Sequence, residues 1–229
     1  MHSEHLQATP AALAHALADE LRQAIAARGQ AVLAVSGGKS PIALFEQLRV
    51  LPLDWHHVHL LLVDERCVPH DHADSNTALV RQHLLQDAAA AATLLCFFDA
   101  LPAQLNPATL GTLVQQANQR LAALPWPIDV AVLGMGEDGH TASLFPGAPG
   151  LETALRSNGP LAWVTPATAP HARLSLTLPA LLSCRSLVLS IAGDAKRAVY
   201  RQALKNPDPA LPVSLVLHQH LTPVSVWIA

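Results

Sequence analysis

Apolar positions along this chain recur with two different periods, and the switches between them outline a fold. Leu13, Leu17, Leu21 and Ile25 share one face of a helical repeat. Thr9-Pro10 supplies an N-cap hydroxyl and a proline at the first helical position, and Gly29 ends the run. Ala31–Val35 is a short continuous apolar stretch that reads as a buried strand, and Ile42–Leu48 reads as helix. Residues 57–63 form a second apolar run, followed by a polar loop and a helix from Asn76 to about Gln86. Asn106-Pro107 caps a helix reaching about Ala123, and residues 128–133 are the next strand. Further strands are expected at 161–165, 174–178 and 187–191. Gly193-Asp194 opens a helix to about Leu204, and Val224–Ile228 closes the sheet. Residues 88–105 are alanine-rich and then irregular, with no element assigned.

Strands alternating with helices imply an α/β fold with a mainly parallel sheet covered by helices on both faces. No internal repeat and no long linker interrupts the alternation, so one domain over residues 1–229 is expected. The 51% hydrophobic and 14% charged content fits a well-buried core. A formal net charge of −3 leaves no basic footprint for nucleic acid. No apolar run reaches membrane-spanning length, so no membrane partner is expected. Met1-His2-Ser3-Glu4-His5 lacks the basic start and apolar stretch of a signal peptide. Cys67, Cys96 and Cys184 are odd in number and widely spaced, giving neither a disulfide framework nor a zinc pattern. A reducing cytoplasm is the expected setting.

Three strand ends carry chemistry. Gly134-Met135-Gly136-Glu137-Asp138-Gly139-His140-Thr141-Ala142-Ser143-Leu144-Phe145-Pro146 follows an apolar run and places a carboxylate and an imidazole two residues apart. Strand carboxyl ends are where open sheets place ligand crevices, and histidine exchanges protons near neutrality. The chain has 13 histidines, and His140 stands out among them by its glycines and Asp138. Ser36-Gly37-Gly38-Lys39-Ser40-Pro41 bares backbone N–H groups between a strand and a helix, which suits phosphate or makes a tight turn with no ligand. It has neither the Walker nor the G-x-G-x-x-G spacing, so nucleotide is not indicated. Asp64-Glu65-Arg66 offers an arginine for an anion or a developing oxyanion, or a surface ion pair. His70-Asp71-His72 lacks matching ligands at regular spacing, and no metal site is assigned.

Together these motifs, with Asp64-Glu-Arg-Cys-Val-Pro69, Asp74-Ser-Asn76, Arg173-Leu-Ser-Leu-Thr177 and Gly193-Asp-Ala-Lys196, resemble the 6-phosphogluconolactonases in order and spacing. The resemblance covers nearly the whole chain; Ser40 stands where relatives more often carry threonine, with the hydroxyl kept. It implies a Rossmann-like three-layer sandwich similar to the glucosamine-6-phosphate deaminase fold, with no metal or organic cofactor. It also implies hydrolysis of 6-phospho-D-glucono-1,5-lactone to 6-phosphogluconate in the oxidative pentose phosphate pathway. The expected partner is that small sugar-phosphate lactone, bound by a monomer or small homo-oligomer.

On this resemblance His140 is the general base, oriented by Asp138, and Arg66 serves the oxyanion. Ser36, Gly37, Gly38, Ser40, Arg173 and Lys196 form the phosphate set. Asp64 is either a second catalytic carboxylate or a ligand to sugar hydroxyls. Two alternatives stand beside it: a glucosamine-6-phosphate deaminase or related isomerase, and a non-catalytic sugar-phosphate sensor. The continuation Thr141 to Pro146 resembles the lactonase branch, and an intact Asp138–His140 unit is superfluous in a sensor.

Overall fold

The structure, a computed structural model, describes residues 2–229. It opens with β1 (His2–Leu6) and α1 (Pro10–Arg28). The Thr9 hydroxyl accepts the Ala12 N–H at 3.1 Å. Such a cap is worth about 1 kcal/mol. Leu13, Leu17 and Leu21 are buried along α1. Each contributes roughly 1.5–3 kcal/mol by leaving water. Gly29 ends the helix at φ 76°, where its N–H reaches the Ile25 carbonyl. β2 (Ala31–Val35), α2 (Ile42–Leu48) and β3 (Val58–Leu62) follow where the apolar runs predict them. The chain continues through β4 (Asp64–Arg66), α3 (Asn76–His83), β5 (Thr93–Leu95), α4 (Pro107–Leu121) and β6 (Val130–Leu133). Next come α5 (Leu151–Arg156), β7 (Leu161–Val164), β8 (Arg173–Leu176), α6 (Leu178–Leu182) and β9 (Ser186–Ile191). It ends with α7 (Asp194–Ala203), α8 (Val213–Leu217) and β10 (Val224–Ile228).

Seven strands form one parallel sheet in the order β1-β10-β9-β6-β2-β3-β5. Every residue of β2 and β6 is buried, as strands covered on both faces require. This is the mainly parallel α/β architecture that the alternation predicts. From β2 the chain steps outward to β3 and β5, then returns to the other side of β2 as β6. That reversal puts a topological switch point, and hence a crevice, at the carboxyl ends of β2 and β6. Ser36 fastens the two ends together. Its hydroxyl donates to the Val132 carbonyl at 2.8 Å and accepts the Gly134 N–H at 3.0 Å.

Two predicted strands lie outside that sheet. β7 and β8 pair antiparallel with each other, and β8 pairs with β4, giving a separate sheet in the order β4-β8-β7. Val63 hands the chain from one sheet to the other: its N–H bonds to the Val35 carbonyl, and its carbonyl accepts the Leu176 N–H. Asp64-Glu65-Arg66 is thus a strand itself, not only the end of one. Leu178, expected to close a strand, starts α6, because the Thr177 hydroxyl caps that helix at Ala180 and Pro179 occupies its first turn. α3 stops at His83, short of the expected Gln86, where the Leu84 and Leu85 N–H groups both turn onto the Val80 carbonyl. Pattern reading does not find β1, β5, α5 or α8. β1 is held by pairing with β10 while its side chains are mostly exposed, and β5 is a three-residue edge strand.

Candidate active site

A cavity of about 340 Å³ opens at the switch point, and nine of the ten residues assigned from sequence line it. They are Ser36, Gly37, Gly38, Ser40, Asp64, Arg66, His140, Arg173 and Lys196. The tenth, Asp138, lines an adjoining, more open lobe, which shares Arg66, His140 and Arg173 with the cavity. Elements far apart in the chain therefore converge on one cleft.

The imidazole of His140 is held from two directions. Residues 136–140 close into a tight loop, with the Gly136 N–H bonded to the His140 carbonyl at 2.9 Å and the Gly139 N–H to the Gly136 carbonyl at 3.1 Å. Asp138 Oδ1 accepts the His140 backbone N–H at 3.1 Å and meets Nδ1 at 2.5 Å. An ionised carboxylate only accepts, so in a neutral ring this contact calls for the proton on Nδ1 and leaves the Nε2 lone pair open. Phe145 stacks on the ring with centroids 4.0 Å apart. Glycine is required at 136 for this arrangement: a Cβ there would lie 2.2 Å from His140 Nδ1 and 2.6 Å from Asp138 Oδ1.

Opposite the dyad, β4 and β8 put two arginines side by side, since Arg66 and Arg173 are paired in register. Arg66 Nη1 donates to the Asp74 carbonyl at 2.6 Å, and Arg173 makes one long bond to the Pro170 carbonyl at 3.4 Å. Among the described residues, the buried Nε atoms of both have no hydrogen-bond partner. Among the described residues, arginine ion pairs form at Arg22, Arg28, Arg49, Arg120, Arg156, Arg185 and Arg197, and at neither member of this pair. Burial pushes the Arg173 guanidinium below its usual range; Asp64 draws it back up, and Arg66 pushes it further down. Two adjacent guanidinium groups that form no ion pair are open to the negative charge of a ligand. The resemblance gives these two cations separate tasks, oxyanion and phosphate; the fold sets them side by side on one strand pair, so they would meet neighbouring parts of one substrate.

Asp64 and Glu65 have separate tasks. Asp64 is 6% exposed, accepts the Ser143 hydroxyl at 2.6 Å through Oδ2, and still reaches the cavity. Glu65 is fully buried and serves the backbone. Its carboxylate accepts the N–H groups of Arg66, Asn76 and Thr77 at 2.7–2.8 Å and the Ser75 hydroxyl at 3.1 Å. A carboxylate on the first N–H groups of α3 is favoured by the helix dipole and anchors the loop behind Arg66.

The turn after β2 has free backbone donors. Among the described residues, the N–H groups of 37–40 meet no protein acceptor. The Ser36 hydroxyl is different, because its proton is already committed to Val132. Asn76 explains why position 37 is glycine: a Cβ there would sit 1.8 Å from Asn76 Oδ1. Lys196 enters the cavity from the first turn of α7, beside Ser190 and Ala192. Asn76 and Phe145 also border the cleft, although the sequence marks Asn76 only as a helix start and both residues only as parts of the motifs that carry the resemblance, with no role of their own. Neither position has a local signal of its own; both are visible only once the loops meet.

Beside Arg66, His72, Asp74 and His171 bring one donor atom each to within 4.8 Å of one another. Their facing atoms are already paired. His171 Nε2 meets Asp74 Oδ2 at 3.0 Å, and His72 Nδ1 accepts the Asp74 N–H at 3.0 Å. The His171 bond holds the Asp74 carboxyl below its usual range. The cluster ties the loop behind Arg66 to the loop before Arg173. His70 takes no part, packing its ring against Phe98 at 5.0 Å.

Known proteins carry the same chain plan. A 6-phosphogluconolactonase from Pseudomonas putida is 46% identical over 215 residues, covering 92% of this chain and 86% of that protein. The crystal structure of a 6-phosphogluconolactonase from Shewanella baltica superposes with a TM-score of 0.90 at 39% identity, covering 100% of this chain and 97% of that one. A monomeric glucosamine-6-phosphate deaminase of the NagB superfamily shares the fold at a TM-score of 0.77 and 18% identity, covering 99% and 96% of the two chains. The family model described as glucosamine-6-phosphate isomerases/6-phosphogluconolactonase matches residues 4–227, and this chain belongs to that family.

Proposed function

We propose that this protein hydrolyses 6-phospho-D-glucono-1,5-lactone to 6-phospho-D-gluconate in the oxidative pentose phosphate pathway. One observation carries the reading: a carboxylate-oriented imidazole shares a cleft with two arginines and a lysine that form no ion pair among the described residues. The relatives at 39–46% identity named as 6-phosphogluconolactonases support it. The deaminase alternative has behind it a shared fold at 18% identity and a family whose description spans both activities, and no relative at 39–46% identity cited above.

A lactone is an activated ester, so a modest base suffices. His140 Nε2 takes a proton from water as that water attacks C1, and returns it to the ring oxygen as the C1–O bond breaks. Asp138 holds the tautomer and balances the imidazolium. Arg66 stabilises the oxyanion on the former carbonyl oxygen. The N–H groups of the Gly37-Gly38 turn, the Ser40 hydroxyl, Arg173 and Lys196 hold the 6-phosphate, with Ser36 shaping the turn. Asp64, with one oxygen on Ser143, serves in this reading as a ligand to sugar hydroxyls. In this reading the enzyme is one domain working in the cytoplasm, as a monomer or small homo-oligomer. Among the described residues no helix is long and apolar enough to cross a membrane.

The test is acid release from freshly generated lactone in a pH-stat, corrected for spontaneous hydrolysis. Acceleration over background is the expected result. Ammonia release from glucosamine 6-phosphate would favour the deaminase, and tight binding with lactone decay at the background rate would favour a sensor.

A further inference from the structure

Phe145 touches both sides of the chemistry. Its ring stacks on His140 at 4.0 Å with the planes 22° apart, and the Arg173 guanidinium carbon lies 4.7 Å from the ring centroid. The residue is 4% exposed and forms part of the wall of the outer lobe. Its backbone is pinned by the tight turn after Thr141, where the Leu144 N–H bonds to the Thr141 carbonyl and the Phe145 N–H to the Ser143 carbonyl. The ring therefore has little freedom to move away from either neighbour.

Both neighbours need such a platform. Asp138 fixes the imidazole at one edge through Nδ1, but a single in-plane contact leaves the ring free to swing about that bond. A flat aromatic face removes this freedom and aims Nε2. Arg173 has no carboxylate partner and one long bond to a carbonyl, so hydrogen bonding does little to orient its guanidinium. A guanidinium over an aromatic face gains cation–π attraction while its N–H edges stay open to a ligand.

We infer that Phe145 is a positioning residue that aims the His140 base and the Arg173 cation together. The inference rests on the reading of His140 and Arg173 given above. It predicts two separable kinetic losses: the base governs turnover, and the cation governs substrate capture.

The test compares Phe145→Leu, Phe145→Tyr and Phe97→Leu. Leucine keeps an apolar cover but removes the aromatic face, and tyrosine restores it. Phe97 is a buried phenylalanine, 1% exposed, that borders neither lobe, so its variant reports the cost of losing a core ring elsewhere. In Phe145→Leu, kcat should fall by about ten- to a hundredfold as the base loses its aim. KM should rise about two- to fivefold as the cation–π contact is lost. Phe145→Tyr should recover most of both, and Phe97→Leu should lower the melting temperature with kinetics close to wild type. Proton NMR adds a readout that needs no turnover. The His140 ring protons, identified by their absence in His140→Ala, should be shifted upfield by the stacked ring in the wild type and should move downfield in Phe145→Leu.

Wild-type kinetics in a folded Phe145→Leu variant, or His140 ring protons that do not move, would overturn the inference. Wild-type turnover in His140→Ala would instead overturn the base assignment, and Phe145's part in catalysis with it, while the ring-proton shift persisted.

Discussion

Replacing Gly136 by alanine tests the geometry of the site with a single methyl group. The new Cβ would lie 2.2 Å from His140 Nδ1, 2.3 Å from Cε1 and 2.6 Å from Asp138 Oδ1. Non-bonded heavy atoms rest about 3.5 Å apart or more, so the imidazole must retreat by more than about 1 Å. Phe145 already covers one face of the ring, leaving it little room to yield. A displacement of about 1 Å in a catalytic group costs on the order of 10²-fold. Gly136 does not adopt a positive φ, so the methyl adds no backbone strain of that kind, and the loss should fall on turnover. Gly134→Ala is the companion variant, since a Cβ there meets nothing within 4 Å and should leave the dyad in place. The assay is lactone hydrolysis corrected for background, with circular dichroism melts on each variant and NMR of the His140 ring. A folded Gly136→Ala protein with wild-type kcat and an unmoved imidazole would refute the argument.

Arg173→Ala and Lys196→Ala should each lose roughly 1.5–3 kcal/mol, or about 10–150-fold in kcat/KM, on the phosphorylated lactone. Hydrolysis of unphosphorylated gluconolactone should be slow in the wild type and nearly indifferent to both changes; equal losses on the two substrates would remove these cations from the phosphate. Glu65→Ala leaves two buried N–H groups at the start of α3 and the half-buried N–H of Arg66 without their acceptor, and should lower unfolding free energy by about 1–3 kcal/mol or more in urea titrations. Asp74 is held below its usual carboxyl range chiefly by His171, so it stabilises the fold above about pH 4 and loses that contribution as pH falls through its lowered value. Melting curves of wild type and Asp74→Asn should therefore converge toward acid pH; parallel curves down to about pH 2 would contradict this. Burial pushes the Cys67 and Cys184 thiols up to about 12, and both should resist a thiol reagent at pH 8 until the protein unfolds.

The positions of the central strands were legible because each is a continuous apolar run, and runs of that kind announce burial on both faces. The same signal misled at 161–165 and 174–178, where equally apolar strands pair with each other and, through β8, with β4 instead. Apolar content reports burial, and the partner is chosen by long-range geometry such as the handover at Val63. β1 was illegible for the opposite reason: its hydrogen bonds to β10 are main-chain, and its polar side chains face solvent. In the site, glycines and charged groups at strand ends marked His140, Asp138, Arg66 and the Ser36 turn. The register that sets Arg66 against Arg173 and the stacking of Phe145 on His140 have no trace in local sequence. They arise only when residues about a hundred positions apart, or a loop folded back on itself, come into contact.

The most direct test of the account is the turnover of His140→Ala on freshly generated 6-phosphogluconolactone, measured by pH-stat beside the wild type after subtraction of spontaneous hydrolysis. Removing a positioned general base should lower kcat by roughly 10²–10⁴-fold while the melting temperature stays close to wild type. A folded His140→Ala protein that hydrolyses the lactone as fast as the wild type would contradict the account at its centre.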